Sequence, residues 1–200
     1  MRTAGAWTTA VVVLAWAVPV LAQSPSQARS EGCAPKTFHT ASPEGWFVTA
    51  VQDAPDDKEG CIFILYGSNK RPAAVIQIES APASLAIFRE GDPFEILPPR
   101  IAAGLEANMN VVVKTLTAKN DDVKRAPQSP IERASMLVYD AQLIGNSSPH
   151  EAVIVVARSP GVIFTVVVIA PSAKADATTS TAARRAFQTI LNSLAPGAGR

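Results

Sequence analysis

The chain has 200 residues, with 18 Lys and Arg against 17 Asp and Glu, two His and two Cys, for a formal net charge of +1. A nucleic-acid binder presents a basic stripe to the phosphates, and a peripheral lipid binder presents a basic patch to anionic headgroups. This balance supplies neither, and two scattered His are a poor basis for imidazole chemistry.

Arg2, the apolar run from Ala10 to Val18, Pro19 and then Val20-Leu21-Ala22 predict a secretory signal peptide over residues 1–22, cleaved after Ala22. The alternative, an uncleaved anchor, needs roughly 20 apolar residues, which this run does not reach. Val20-Leu21-Ala22 also begins a lipobox, but Gln23 stands where the lipidated Cys must be. Cleavage removes Arg2, so 18 − 1 leaves 17 basic residues against 17 acidic ones. The expected mature chain is periplasmic or secreted, with no membrane span and no nucleic-acid partner.

Residues 23–37 are small, polar and turn-forming, and are expected to be a flexible N-terminal segment. Cys33 and Cys61 in an oxidising compartment are most simply one disulfide. A redox pair or metal thiolates would want C-x-x-C spacing or a second ligand cluster, and neither is present. One domain is expected over residues 38–195, followed by a loose tail at 196–200.

Strands are predicted at Trp46–Val51, Cys61–Tyr66 and Ala74–Glu79, separated by the turn-rich acidic stretch Ala54–Gly60. The period then changes. Leu97, Ile101, Leu105 and Met109 recur every four residues, which predicts a helix over Pro93–Met109, with Pro98 and Pro99 suited to its first turn. Four more strands are expected at Val111–Ala118, Arg133–Ile144, Glu151–Arg158 and Val162–Ala170, the last three as an antiparallel meander. A closing helix runs over Ala177–Leu194, with Ala183, Phe187, Ile190, Leu191 and Leu194 on one face. Val153–Ala157 and Val162–Ala170 are nearly continuous apolar runs, whereas a strand with one wet face alternates. Both faces of these strands therefore need cover, and two amphipathic helices are available. The expected fold is α+β: an antiparallel sheet covered by helices on both faces, a three-layer α/β/α sandwich.

With Pro43-Glu44-Gly45-Trp46 near the start, strand pairs before the first helix, long hairpins after it and the closing Phe187–Leu194 helix, the chain resembles the Mog1/PsbP/DcrB-like group of α-β-α sandwich domains over roughly Phe38 to Leu194. The resemblance implies an accessory or scaffold role and carries over no catalytic residue.

Catalytic motifs are scarce. G-x-S-x-G, H-E-x-x-H and the P-loop do not occur. His39, at the start of the first strand, and His150, beside Pro149 in a hairpin turn, are expected to be surface residues without a role. Asp53, Asp56, Asp57 and Glu59 could offer oxygen ligands, but Gly60 follows the cluster rather than sitting within it, so a solvated acidic loop is the expectation. Trp46 could stack on a ligand, but after Gly45 it reads better as a core anchor. Asn146-Ser147-Ser148 matches a glycosylation sequon, relevant only in a eukaryote.

Two stretches remain as candidate contact surfaces. Tyr66, Ser68, Asn69, Lys70 and Arg71 form a polar, cationic loop suited to an anionic ligand or partner. Phe88 and Phe94 are apolar residues in the long irregular stretch Ala83–Pro99. The leading expectation is an exported, non-enzymatic domain that binds a protein partner and needs no cofactor. The alternatives are a small-molecule or lipid carrier, with a pocket between the sheet and the Pro93–Met109 helix, and a hydrolase.

Overall fold

The computed structural model describes residues 35–51, 59–89, 91–120, 123 and 125–197. The expected signal peptide, Cys33, the polar stretch 23–34 and the acidic residues Asp53, Asp56 and Asp57 lie outside the described residues.

In chain order the elements are β1 (Phe38–His39), β2 (Phe47–Val51), β3 (Glu59–Tyr66), β4 (Pro72–Pro82), a 3-10 turn (Ala86–Arg89), α1 (Pro93–Met109), β5 (Val111–Asn120), β6 (Arg133–Leu143), β7 (His150–Ser159), β8 (Val162–Pro171), α2 (Ala177–Ser193) and β9 (Ala195–Pro196). Strands β2 to β8 form one seven-stranded sheet in the order β2-β3-β4-β8-β7-β6-β5, with every neighbouring pair antiparallel. The expected α+β class is therefore found, and β6, β7 and β8 make the expected meander. Gly161, at φ 76°, turns β7 into β8, and its carbonyl receives the N–H of Ala83 from the end of β4.

The near-continuous apolar runs in β7 and β8 are explained by their packing. Ala152, Ile154, Val167 and Ile169 pack with Leu105 of α1. Their sequence neighbours Val155, Ala157, Val166, Val168 and Ala170 pack with Ala183, Ala186, Ile190 and Leu191 of α2. Successive strand residues point to opposite faces, so neither parity is free to be polar. Trp46 joins the α2 cluster, as a core anchor should.

Both helices begin on an Asp cap. The Asp92 carboxylate accepts the N–H of Phe94 at 3.0 Å, with Pro93 in the first helical position, and Asp176 accepts the N–H of Thr179 at 3.0 Å. Asn110 closes α1 in the left-handed region at φ 54°, its N–H bonded to the Leu105 carbonyl.

Several expectations are corrected. Because α1 starts at Pro93, Pro98 and Pro99 lie in its interior rather than its first turn, where each removes a backbone donor. Helix geometry would otherwise bring those donors to the carbonyls of Phe94 and Glu95. His150 is not in a turn: it opens β7, is 8% exposed, and its Nδ1 lies 2.8 Å from the Ser148 carbonyl oxygen. The chain is also held further out than expected at both ends. Pro196, assigned to the tail, pairs with Phe38, and the N–H of Gly197 donates to the Thr37 carbonyl at 2.7 Å. Thr37, assigned to the flexible segment, donates from both N–H and Oγ1 to Glu59 Oε2. Glu59, considered as a metal ligand, thus anchors the N-terminal arm.

Candidate functional site

The structure places the two candidate contact surfaces at opposite ends of the sheet. Tyr66, Ser68, Asn69, Lys70 and Arg71 lie at the β3–β4 turn, where β4 begins. Phe88 and Phe94 lie beyond the other end of β4. Ten residue steps at about 3.3 Å each put these groups about 33 Å apart along the strand.

The turn is tightly built. The N–H of Gly67 donates to the Arg71 carbonyl and that of Lys70 to the Gly67 carbonyl, both at 2.9 Å, while Asn69 Oδ1 accepts the N–H of Arg71 at 3.0 Å. Lys70 takes φ 59° within it. The backbone consumes the Asn69 oxygen, so the loop presents Lys70, Arg71 and the ring of Tyr66, which is 48% exposed and meets Phe47 edge-on at 6.2 Å.

At the opposite end, Phe94 packs with Val156 and Ile163, and Phe88 is half-buried against that cluster. The Arg133 guanidinium lies 3.9 Å from the centre of the Phe94 ring and donates to Asp92 Oδ2 at 2.9 Å. The N–H of Phe94, then Arg133, hold the Asp92 carboxyl below its ordinary range. These are groups satisfying one another around a helix start, and they leave Phe94 as core. Arg133 was missed in the sequence because it sits 39 residues from Phe94 (133 − 94) and only strand pairing brings the two together.

A third region went unnoticed in the sequence. Register places Phe47, Ile64, Val75, Ile169, Ala152, Tyr139 and Leu116 in one row across all seven strands, and Thr49, Ile62, Gln77, Val167 and Ile154 in the next. Helix α1 lies over the β8-β7-β6-β5 side of these rows, in a cluster that takes in Ile169, Val167, Ala152, Ile154, Tyr139 and Ala141. Strands stand about 4.8 Å apart and a helix is about 10 Å wide, so one helix cannot cover all seven strands. On β2, β3 and β4 the rows continue as the half-buried Phe47, Ile62, Ile64 and Val75, which belong to none of the packed clusters, with the polar Thr49 and Gln77 in the second row. The signal was present in Ile62-Phe63-Ile64-Leu65, which is apolar at both parities where an outer strand with a wet face would alternate.

Two hollows are formed elsewhere. One of about 30 Å³ lies between α2 and β7–β8, bounded by Ser180, Arg184, Phe187, Glu151 and Val153. An open, polar one of about 430 Å³ follows residues 123–132, around Arg125, Ser129 and Glu132. Beneath α1, Ile101, Leu105 and Met109 pack directly on the sheet. Among the described residues no three His, Cys, Asp or Glu gather in a metal-holding group, and no helix is long and apolar enough to cross a membrane. Cys61 is fully buried in β3, and its expected partner Cys33 lies outside the described residues.

No family model and no curated protein matches this sequence. Among solved structures, the fold is similar to that of cyanobacterial PsbP from Synechocystis sp. PCC 6803, at 10% identity and a TM-score of 0.50, covering 77% of this chain and 85% of that one. A Bacteroides thetaiotaomicron protein aligns with 80% of this chain and 44% of its own, at 9% identity and a TM-score of 0.39. The fold is thus PsbP-like, in agreement with the resemblance noted in the sequence.

Proposed function

We propose that the chain is an exported, non-enzymatic accessory domain that works by binding another protein. In this reading the domain is a three-layer α/β/α sandwich, with α1 and α2 on opposite faces of the sheet. The alternation of Ile154 toward α1 and Val155 toward α2 supports that arrangement. A Cys33–Cys61 disulfide ties the N-terminal arm to β3, which suits an oxidising compartment. Export itself rests on the signal-like residues 1–22.

The observation that carries the binding role is the uncovered apolar patch of Phe47, Ile62, Ile64 and Val75, continued by the exposed Tyr66. A contiguous apolar patch rimmed by polar groups marks a contact surface on a soluble protein. The polar rim is supplied by Lys70 and Arg71 at one end and by Glu79 at the other. The carrier alternative has less support, since Ile101, Leu105 and Met109 pack directly on the sheet beneath α1, where its pocket would lie.

The test is native cross-linking followed by purification, comparing the wild-type chain with Ile64→Glu. A discrete protein adduct that Ile64→Glu removes is the expected result. No adduct with any protein, from a chain shown by circular dichroism to be folded, overturns the reading.

A further inference from the structure

We infer that the outer edge of β2 is a pairing edge, and that it binds the β2 edge of a second copy in an antiparallel, two-fold dimer centred on Thr49. This contact uses the sheet edge and not the apolar patch beside α1, so the two can fail separately.

The two edges of the sheet are built differently. β2 and β5 end the seven-stranded order, and no described segment pairs with the outer side of either. An open edge accepts another strand unless charges, bulges or proline protect it. β5 is protected: its pairing with β6 shifts register twice, on either side of Leu116, and Lys114 and Lys119 occupy exposed positions along it. β2 has no such device. Phe47-Val48-Thr49-Ala50-Val51 contains no charge and no proline. Its register with β3 runs unbroken from Phe47 opposite Ile64 to Val51 opposite Gly60. The arm that leads into β2 does not shield this edge. Thr37 donates to Glu59, Thr40 donates to the Ile190 carbonyl, and Trp46 packs in the cluster beneath α2. That course follows the α2 face of the sheet rather than its edge.

A second β2 fits this edge through its own symmetry. Antiparallel alignment about Thr49 sets Thr49 opposite Thr49, Val48 opposite Ala50 and Phe47 opposite Val51. Alternate residues of an antiparallel strand turn their N–H and C=O outward, so the outward set is either Val48 and Ala50 or Phe47, Thr49 and Val51. Each set maps onto itself in this register, and every outward N–H then meets a carbonyl. No like charges are opposed, and Thr opposite Thr is a favourable cross-strand pair. The two-fold axis stands perpendicular to the sheet, so each face of one copy continues as the same face of the other. Val48, packed toward α2, stays on the α2 side, and α1 lies over β8 to β5, clear of the contact. With one open edge per chain the assembly closes at two copies, as an isologous contact does. Five residues give a contact about 17 Å long, which fits a small, reversible interface.

Sedimentation equilibrium of the purified chain, from micromolar to hundreds of micromolar, tests the dimer. A monomer–dimer equilibrium is expected. Thr49→Lys and Thr49→Asp each bring like charges together at the axis and should each weaken it about tenfold, less so in high salt. An equimolar mixture of the two variants should recover it, because Lys then faces Asp. Thr49 is exposed, so folding is not at risk, and circular dichroism verifies it. Lys119→Asp on the β5 edge and Ile64→Glu on the apolar patch should leave the equilibrium unchanged. A wild-type chain that stays monomeric, or a mixture no tighter than its separate variants, overturns the dimer. So does a dimer that Ile64→Glu abolishes and Thr49→Lys does not. If a monomeric chain still gives an adduct that Ile64→Glu removes, the protein-binding reading stands without the dimer.

Discussion

Two stretches of the central sheet extend past its helices, and they are made of different residues. On β2, β3 and β4, beside α1, the uncovered large side chains are Phe47, Ile62, Ile64 and Val75, bordered in the second row by Thr49 and Gln77. On β5, β6 and β7, beside α2, they are the polar Lys114, Asp140, Gln142 and Glu151 together with the half-buried Val112 and Val138, with Lys114 bonded to Gln142 and Arg184 of α2 reaching Glu151 at 3.1 Å. Both stretches arise from the same geometry, because a helix is too narrow to cover seven strands. The first gathers its large apolar side chains around Ile64, with Thr49 and Gln77 at the margin, whereas the second is built mainly of charged and amide groups paired with one another. The contrast teaches that incomplete cover is not itself a sign of binding. What matters is whether the bare residues are adapted to solvent.

The comparison breaks most visibly if covered and uncovered apolar residues are truncated in turn. Leu105→Ala, beneath α1, should cost about 2–5 kcal/mol through the cavity it leaves, whereas Val75→Ala in the same sheet should cost well under half as much in the isolated chain. Urea unfolding of both variants reads the difference. Equal losses would mean that the patch is buried after all.

A smaller effect is expected at the start of α1. Asp92→Ala removes the cap and the partner of Arg133 together, and should cost about 1 kcal/mol, most of it from the cap because the ion pair is largely solvated. The carboxyl is held below its ordinary value in the fold, so its contribution is present above the unfolded pKa of about 3.8 and is lost as pH falls through the lower folded value. Thermal melts should therefore separate wild type from Asp92→Ala at neutral pH and converge in strong acid.

The smallest effect sharpens the polar side. Asp140 and Glu151 stand directly opposite across β6 and β7, a like-charge pair that Arg184 only partly offsets. Asp140→Lys should stabilise the chain by about 0.2–1 kcal/mol, an increment that added salt diminishes. The same variant should leave any association through Ile64 unchanged.

Much of this architecture was legible in the sequence because its signals are local. The four-residue spacing from Leu97 to Met109 and the turn residues at Gly145 and Gly161 depend only on neighbours along the chain. They match α1 and the β6–β7–β8 meander in the structure. What stayed hidden depends on residues far apart. The sequence leaves open how the Tyr66 and Phe94 stretches lie relative to one another, and β4 sets them at opposite ends of the sheet. Arg133 had no reason to be linked with Asp92 before β6 brought it across. Pro98 and Pro99 suit a helix start by residue type, yet the Asp92 cap sets the start at Pro93 and leaves both inside α1. The bare patch was the least visible feature, since periodicity says which residues are apolar and not how wide a helix is.

On the proposed reading, the apolar strip beside α1 is a contact surface and the mixed, mainly polar strip beside α2 is not. A photoreactive amino acid placed at position 64 in one variant and at position 142 in another, irradiated in the cell that produces the chain, compares the two directly. The account predicts a strong, discrete protein adduct from position 64 and only background from position 142. Equal adducts from both positions, or none from position 64, would contradict it.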